Sequence, residues 1–272
     1  MNAIHRLPTT PPVDECAEIT FHREVAPDHH LVRFAASSIA RNAEPGQFLQ
    51  IRVSDEFTPF LRRPMSIADA DPDAGTVDVL YRAGGGGTTR LTHRRPGECL
   101  PILGPLGHPF ELPSDSETRV VLVGGGVGMP PLHFAARRLG ADRVMVIQGA
   151  QTSSLVLYRD EFREMGVQTS ITTNDGSEGI RGIVTDALVK EFDATNGQLE
   201  VLCCGPMPMM EAVAQITLQR DIPCQVSLEE RMACGFGICM GCAVDLRGRD
   251  DGGFALVCVD GPVFRAGEAF GA

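Results

Sequence analysis

The sequence predicts a multidomain chain of α/β plus β class: an N-terminal antiparallel β-barrel, a central parallel α/β sheet and a small C-terminal cysteine-rich domain. Three observations carry that expectation. Short β-rich stretches broken by frequent turns fill the first part of the chain. From Ser116 onward, apolar strands alternate with helical stretches. Near the C-terminus Cys234, Cys239, Cys242 and Cys258 form a C-x4-C-x2-C-x15-C run.

Segments 17–25, 31–35, 47–53, 76–82 and 98–103 have strand character, and Pro45-Gly46, Asp73-Ala74-Gly75 and Pro96-Gly97 separate them. Such spacing of strands and turn signals predicts a barrel. A helix is expected at 88–95, after the glycine run at 84–87. Segment 119–123 is then a largely apolar strand, 124–128 a glycine-rich turn, 130–139 an amphipathic helix and 143–148 a further strand. That order is a βαβ unit with parallel strands. Further strands are expected at 167–172, 200–204 and 224–227, with helices at 185–192 and 207–220. The expected divisions are a short disordered leader (1–15), the barrel (16–113), the sheet (114–226) and the cysteine domain (227–272).

With 272 residues, 43% of them hydrophobic, the chain has ample material for more than one core. It has no apolar run of membrane-spanning length. A net charge of −11 argues against nucleic acid as a partner. Nine cysteines, four of them in one run, suit a reducing cytoplasm better than a disulfide scaffold.

The spacing of the four cysteines matches the plant-type [2Fe–2S] pattern. Gly235, Gly237 and Gly241 permit the sharp bends that wrapping a small cluster demands. Structural zinc is the rival, since four thiolates also make a tetrahedral site. Zinc sites usually come as two short C-x2-C pairs, whereas here the fourth ligand stands alone. Cys16, Cys99, Cys203 and Cys224 lie outside ligand spacing and are expected to be structural thiols. The seven histidines form no motif with the cysteines, and His29, His30 and His108 read as surface or turn residues.

Three further segments suit anions. The turn at 124–128 lies between a strand and a helix, where glycines admit a pyrophosphate and the helix N-terminus offers free N–H groups. A tight turn without ligand explains it equally well. Arg62-Arg63-Pro64-Met65-Ser66, read as the end of a barrel strand, offers guanidinium and hydroxyl donors; the plain alternative is a solvated arginine pair. The glycine run ending in Thr88-Thr89 is a second such loop on the barrel, and together the two suit a dinucleotide flavin. Cys204-Gly205-Pro206 sits where a strand gives way to a helix, the end of a parallel sheet where ligands collect; a buried thiol and a helix start is the other reading.

In chain order, Arg63-Pro64-Met65-Ser66, Gly124-Gly125-Gly126-Val127-Gly128-Met129-Pro130 and Cys204-Gly205-Pro206 resemble the ferredoxin-reductase flavoprotein superfamily. Within it, the run 228–235 into the cysteines and Cys258-Val259-Asp260-Gly261-Pro262-Val263-Phe264 after them resemble the electron-transfer subunits of NAD-dependent, two-subunit dihydroorotate dehydrogenases. Asn174-Asp175-Gly176-Ser177 and the segment 182–186 fit the same family, and the likeness spans about residues 17 to 267.

The resemblance implies an oxidoreductase subunit of pyrimidine biosynthesis. Arg63, Pro64, Met65, Ser66, Leu80, Tyr81, Arg82, Gly87 and Thr88 would bind FAD. Gly125, Gly126, Gly128, Cys204, Gly205 and Pro206 would face NAD, and Cys234, Cys239, Cys242 and Cys258 would hold [2Fe–2S]. Many superfamily members carry an aromatic residue where Met65 stands. The loop 149–152 lacks an arginine for a 2′-phosphate, which favours NAD over NADP, although Arg159 is close in sequence. No residue is expected to act as acid or base. The implied partner is an FMN-containing catalytic subunit in a cytoplasmic heterotetramer, with electrons running from it through [2Fe–2S] and FAD to NAD+. Two alternatives remain: a subunit of an NAD(P)-linked ferredoxin or sulfide oxidoreductase, with the same cofactors, and a zinc-stapled binding module without catalysis.

Overall fold

The structure is a computed structural model that describes residues 11–54, 56–195, 197–247 and 253–271. Most of the expected leader, residues 1–10, lies outside them. The described chain divides into two units: residues 11–109 with 229–244 and 253–263, and residues 110–228 with 245–247 and 264–271.

In the first unit, β1 (Val13–Ala26), β2 (His29–Ala35), α1 (Ser37–Ala40), β3 (Phe48–Ile51), β4 (Arg63–Asp71), β5 (Thr76–Arg82), α2 (Gly86–Thr92) and β6 (Cys99–Leu106) follow one another. The six strands close into an antiparallel barrel in the order β1-β2-β5-β4-β3-β6. Ile19, Val32, Phe34, Ile67, Val79 and Ile102 are fully buried and supply much of its core.

Several expectations change here. The arginine motif opens β4 rather than ending a strand. Pro64 has no N–H for a ladder, which confines it to a strand end or edge. The barrel register sets Glu18 opposite Cys99 and Cys16 opposite Pro101. Cys16 and Cys99 thereby come within a Cα separation of 5.7 Å and form a cross-strand disulfide, so they are not free thiols. A sequence separation of 83 residues hid that pairing. His29 is buried, with Nδ1 2.7 Å from the Pro27 carbonyl oxygen, and is not a surface residue.

The second unit carries β7 (Arg119–Gly125), α3 (Met129–Leu139), β8 (Val144–Ala150), α4 (Arg159–Met165), β9 (Gln168–Thr173), β10 (Ile180–Arg181), α5 (Val184–Ala194), β11 (Leu199–Cys204), α6 (Met207–Gln219) and β12 (Cys224–Ser227). Their strands pair in parallel in the order β10-β9-β8-β7-β11-β12. Val120, Val121, Leu122 and Val123 are fully buried, as a strand covered on both faces requires. Helix α3 carries Pro130 and Pro131 in its first turn, where their missing N–H groups cost nothing. Helix α4 was not expected from the sequence. Its sequence RDEFREM is mostly charged, and Phe162 is its one buried anchor, too few for a visible helical period.

After the cysteines begin, β13 (Ala243–Asp245) pairs with β14 (Phe254–Leu256), while β15 (Val263–Arg265) adds to the edge of the parallel sheet beside β12 and leads into α7 (Ala266–Phe270). None of these short elements was expected.

One half-buried carboxylate lies in the second unit. Gln225 Nε2 donates to Glu200 Oε1 and to the Glu111 carbonyl, each at 2.7 Å. Burial raises the Glu200 pKa, the Gln225 amide opposes this, and the nearby Glu111 charge adds to it. A raised carboxyl pKa means that the native state holds a proton the unfolded chain has released. Stability therefore falls as pH climbs from the ordinary glutamate range through the raised value. Glu200→Gln keeps the acceptor and removes the charge. We expect its melting temperature to exceed that of the parent at and above neutral pH and to match it in acid; scanning calorimetry across pH checks this, and a uniform shift at all pH values would contradict it.

Candidate functional site

The cysteine loop is built from left-handed turns. Gly235 and Gly237 take φ of +84° and +87°, and Met240 of +58°. These turns aim backbone N–H groups at sulfur. The N–H of Cys239 donates to Cys234 Sγ at 3.5 Å, that of Gly241 to Cys239 Sγ at 3.5 Å, and that of Cys258 to Cys242 Sγ at 3.4 Å. Cys239 is exposed, whereas Cys242 and Cys258 are buried. Burial alone would raise the Cys234 thiol; the N–H groups of Phe236 and Cys239, the Cys239 side chain and the Ile238 N–H outweigh it and bring the pKa to about 7. Burial, then the neighbouring Cys242, push Cys258 up to about 12.

Two of these hydrogen bonds link the cysteines in pairs, Cys234 with Cys239 and Cys242 with Cys258. Among the described residues, no three His, Cys, Asp or Glu side chains gather at the spacing of a single ion. An all-thiolate set in two pairs, ringed by N–H donors, fits a two-iron cluster.

On the barrel, the structure brings Arg63 and Gly87 together. A side chain on Gly87 would start 2.9 Å from the Arg63 Cζ and 3.0 Å from its Nη2. Arg63 Nη1 donates to the Leu61 and Arg62 carbonyls at 2.8 and 3.2 Å, and no carboxylate among the described residues pairs with it. Arg62 differs, since its Nη2 lies 2.9 Å from both Asp14 carboxylate oxygens. The two arginines of the motif therefore do different things: one charge is satisfied and one is open.

Thr88 Oγ1 accepts the N–H groups of Gly84 and Gly85, both at 3.1 Å, and donates to the Gly85 carbonyl at 3.0 Å. It shapes the glycine loop ahead of α2. The register pairs Arg63 with Ile51, Pro64 with Gln50, Met65 with Leu49 and Ser66 with Phe48. Arg63 and Met65 thus share one face of β4, and Pro64 and Ser66 the other. At the end of β5, Leu80 and Tyr81 are buried and Arg82 is exposed. The Tyr81 hydroxyl shares a 2.9 Å hydrogen bond with His22 Nε2, its ring stacks on His30 at 5.5 Å, and burial raises its pKa.

In the parallel sheet, Cys204 lies beside Gly124 at the carboxyl ends of neighbouring strands. A Cβ on Gly128 would sit 2.6 Å from the Gly205 nitrogen and strike the Cys204 carbonyl. One on Gly125 would meet Pro206 Cδ at 3.4 Å and Met209 Sδ at 3.0 Å. The two segments expected to share a ligand therefore touch. Gly126, at φ +55°, has open space where its side chain would be. Met209 belongs to this group but merged with the apolar run of α6 in the sequence. Arg159 pairs with Glu178 and donates to the Ser153 carbonyl at 2.9 Å, so its charge is already engaged.

Comparison with known proteins places this architecture. A solved structure of an NADH-dependent reduced ferredoxin–NADP oxidoreductase, studied for flavin-based electron bifurcation, is 31% identical with a TM-score of 0.82, over 93% of this chain and 89% of that one. The ferredoxin reductase of carbazole 1,9a-dioxygenase has the same fold at 23% identity and a TM-score of 0.68, over 79% and 68% of the two chains. Residues 122–215 match the family of oxidoreductase NAD-binding domains. The fold and its sites define a ferredoxin-reductase-like, NAD-linked iron–sulfur oxidoreductase.

Residues 229–269 match the iron–sulfur cluster binding domain of dihydroorotate dehydrogenase B. The electron transfer subunit of dihydroorotate dehydrogenase B (NAD(+)) from Geobacillus sp. (strain WCH70) is 38% identical over 91% of this chain and 95% of its own length. That of Geobacillus kaustophilus (strain HTA426) is 42% identical over 83% and 86%. The chain belongs to the family of dihydroorotate dehydrogenase B (NAD(+)) electron transfer subunits. It is an oxidoreductase subunit that uses an iron–sulfur cluster, FAD and NAD, passes electrons to NAD+ and works with a catalytic partner. No described helix is long and apolar enough to cross a membrane.

The close approach at Gly128 is open to a direct test. Gly128→Ala is expected to cost about 1–3 kcal/mol, since backbone atoms must move to admit the methyl. Gly126→Ala meets no neighbour and bears only the left-handed strain, about 1 kcal/mol. Denaturant unfolding of the two variants checks the order; equal losses would contradict it.

Proposed function

We propose that this chain accepts electrons from an FMN-containing subunit that oxidises dihydroorotate to orotate and delivers them to NAD+, within a cytoplasmic heterotetramer. The observation that carries the reading is the cysteine loop: four thiols in two pairs, N–H donors converging on them, in a segment with the family's iron–sulfur pattern. Cys234, Cys239, Cys242 and Cys258 hold the cluster. Bound together, the cluster exchanges single electrons, NAD exchanges hydride, and the flavin does both.

The protein's own part is binding and orientation. Arg63, with its charge open and Gly87 beneath it, grips a phosphate of FAD. Thr88 presets the glycine loop for the same anion, and Pro64, Met65, Ser66, Leu80, Tyr81 and Arg82 complete the flavin's surroundings. Gly125, Gly126 and Gly128 let a pyrophosphate approach the backbone ahead of α3, and Cys204-Gly205-Pro206 faces the same ligand. With Arg159 committed to Glu178, the loop after β8 has no free guanidinium for a 2′-phosphate, which supports NAD over NADP. No residue here has to donate or accept a proton in the transfer. Phe236, Ile238 and Met240 stand 47%, 77% and 56% exposed around the cysteines and give a partner an apolar surface to cover.

A second reading keeps the cofactors and changes the partner to one that handles ferredoxin, and the 31% identical oxidoreductase favours it. Turnover separates the two. The complex purified with its co-expressed subunit should form orotate at the expense of NAD+; reduction of ferredoxin without orotate formation would favour the second.

Two variants test the division of labour. Cys239→Ala should leave NADH oxidation by an artificial two-electron acceptor largely intact and abolish dihydroorotate:NAD+ turnover. Equal loss of both would mean that the cluster also holds the fold. Arg63→Ala should be isolated without FAD, as absorbance of the purified protein will report; stoichiometric flavin would remove Arg63 from the site.

A further inference from the structure

All four side chains of β3 are buried, and one of them is a glutamine. Alternation along the strand puts Phe48 and Gln50 on one face and Leu49 and Ile51 on the other. Loop backbone covers the first face. Phe48 Cε1 lies 3.0 Å from where a side chain on Gly107 would begin. Gln50 lies under Gly235, whose absent side chain would fall 2.6 Å from Gln50 Cγ and 2.7 Å from its Nε2. Gly235 follows the first cluster cysteine. On the flavin side, the cross-strand neighbour of Gln50 is Pro64 of the arginine motif, which has no N–H to offer.

The Gln50 carboxamide is 0% exposed, and neither Oε1 nor Nε2 has a hydrogen-bond partner among the described residues. A carboxamide carries two donors and an acceptor, and a fully buried one is almost always paired. An apolar residue would pack this face without that penalty. The missing partner is therefore a group that the described residues do not supply, and the loop above Gln50 is the one that wraps the cluster.

We propose that Gln50 is a positioning residue for the iron–sulfur cluster, its side-chain N–H donating to a sulfur at the Cys234 end. This rests on the cofactor reading above and deepens it. Hydrogen bonds to cluster sulfurs help set the reduction potential. The sulfurs already receive backbone N–H groups from within the loop, and Gln50 adds one from the barrel. It would raise the potential and thereby favour electron residence on the cluster over the flavin.

The test is the cluster's midpoint potential, measured by dye-mediated titration with EPR detection on the full-length protein. Gln50→Met keeps the volume and removes the donor. It should shift the flavin–cluster electron equilibrium about tenfold towards the flavin, which is about 59 mV for one electron. Gln50→Glu keeps the shape and replaces the donor with a negative charge, and should lower the potential further. Iron and flavin content are measured on both variants. Unchanged potentials in both would overturn the proposal, as would loss of iron from both with FAD retained, which would make Gln50 a strut for the loop. If only one variant loads iron, its potential decides. Parent protein without iron or FAD would instead sink the cofactor reading itself.

Discussion

Three glycines set the distances on which the sites depend. A Cβ at Gly128 would run into the Cys204–Gly205 backbone, while one at Gly87 or Gly235 would displace the side chain of Arg63 or Gln50. Each contact lies within one unit of the chain and each joins two segments that the sequence keeps far apart. Removing the side chain gives loops backbone-range proximity to one another, and the same geometry exposes N–H groups to an anion or a thiolate. The gain is positional. A cofactor held by backbone donors needs few charged side chains, which suits a chain with a net charge of −11 that handles phosphate-bearing ligands.

The chemistry sorts by the number of electrons each group can carry, and the residues sort accordingly. The cysteine loop offers thiolates and N–H donors, as a one-electron centre requires. The barrel offers an open guanidinium and a capped glycine loop, as a phosphate requires. The parallel sheet offers the carboxyl ends of β7 and β11, where a dinucleotide is expected to lie. Outside the cysteine loop, the marked shifts at Tyr81 and Cys203 are those of buried groups raised by desolvation. Hydride passing directly between flavin and nicotinamide asks orientation of the protein, while the proton that accompanies the cluster's single electrons onto the flavin comes from solvent.

Much of this was legible in the sequence, because the signals were local. Strand 76–82 and strand 224–227 match β5 and β12 to the residue, since Asp73-Ala74-Gly75 and the glycine run at 84–87 flank the first and Pro223 precedes the second. The cysteine spacing and the glycine turn before α3 needed only a short window. What stayed hidden depended on register and tertiary contact. The Cys16–Cys99 link follows from how β1 lies against β6. The unequal fates of Arg62 and Arg63 follow from Asp14 reaching across from another strand. Helix α4 is too charged for its one apolar residue to announce it, and β13, β14 and β15 are three residues each, shorter than any pattern can resolve. Gln50 stood unnoticed inside a strand, its importance resting on a glycine 185 positions away by the numbering of Gln50 and Gly235.

The central claim is that a single-electron centre and a flavin coexist on this polypeptide and communicate. Anaerobic titration of the purified protein with NADH, followed together by visible absorbance and EPR, tests it most directly. The flavin bands should bleach, and the signal of a reduced [2Fe–2S] cluster should grow as they do. A colourless protein carrying zinc at its cysteines, silent to NADH in both channels, would contradict it.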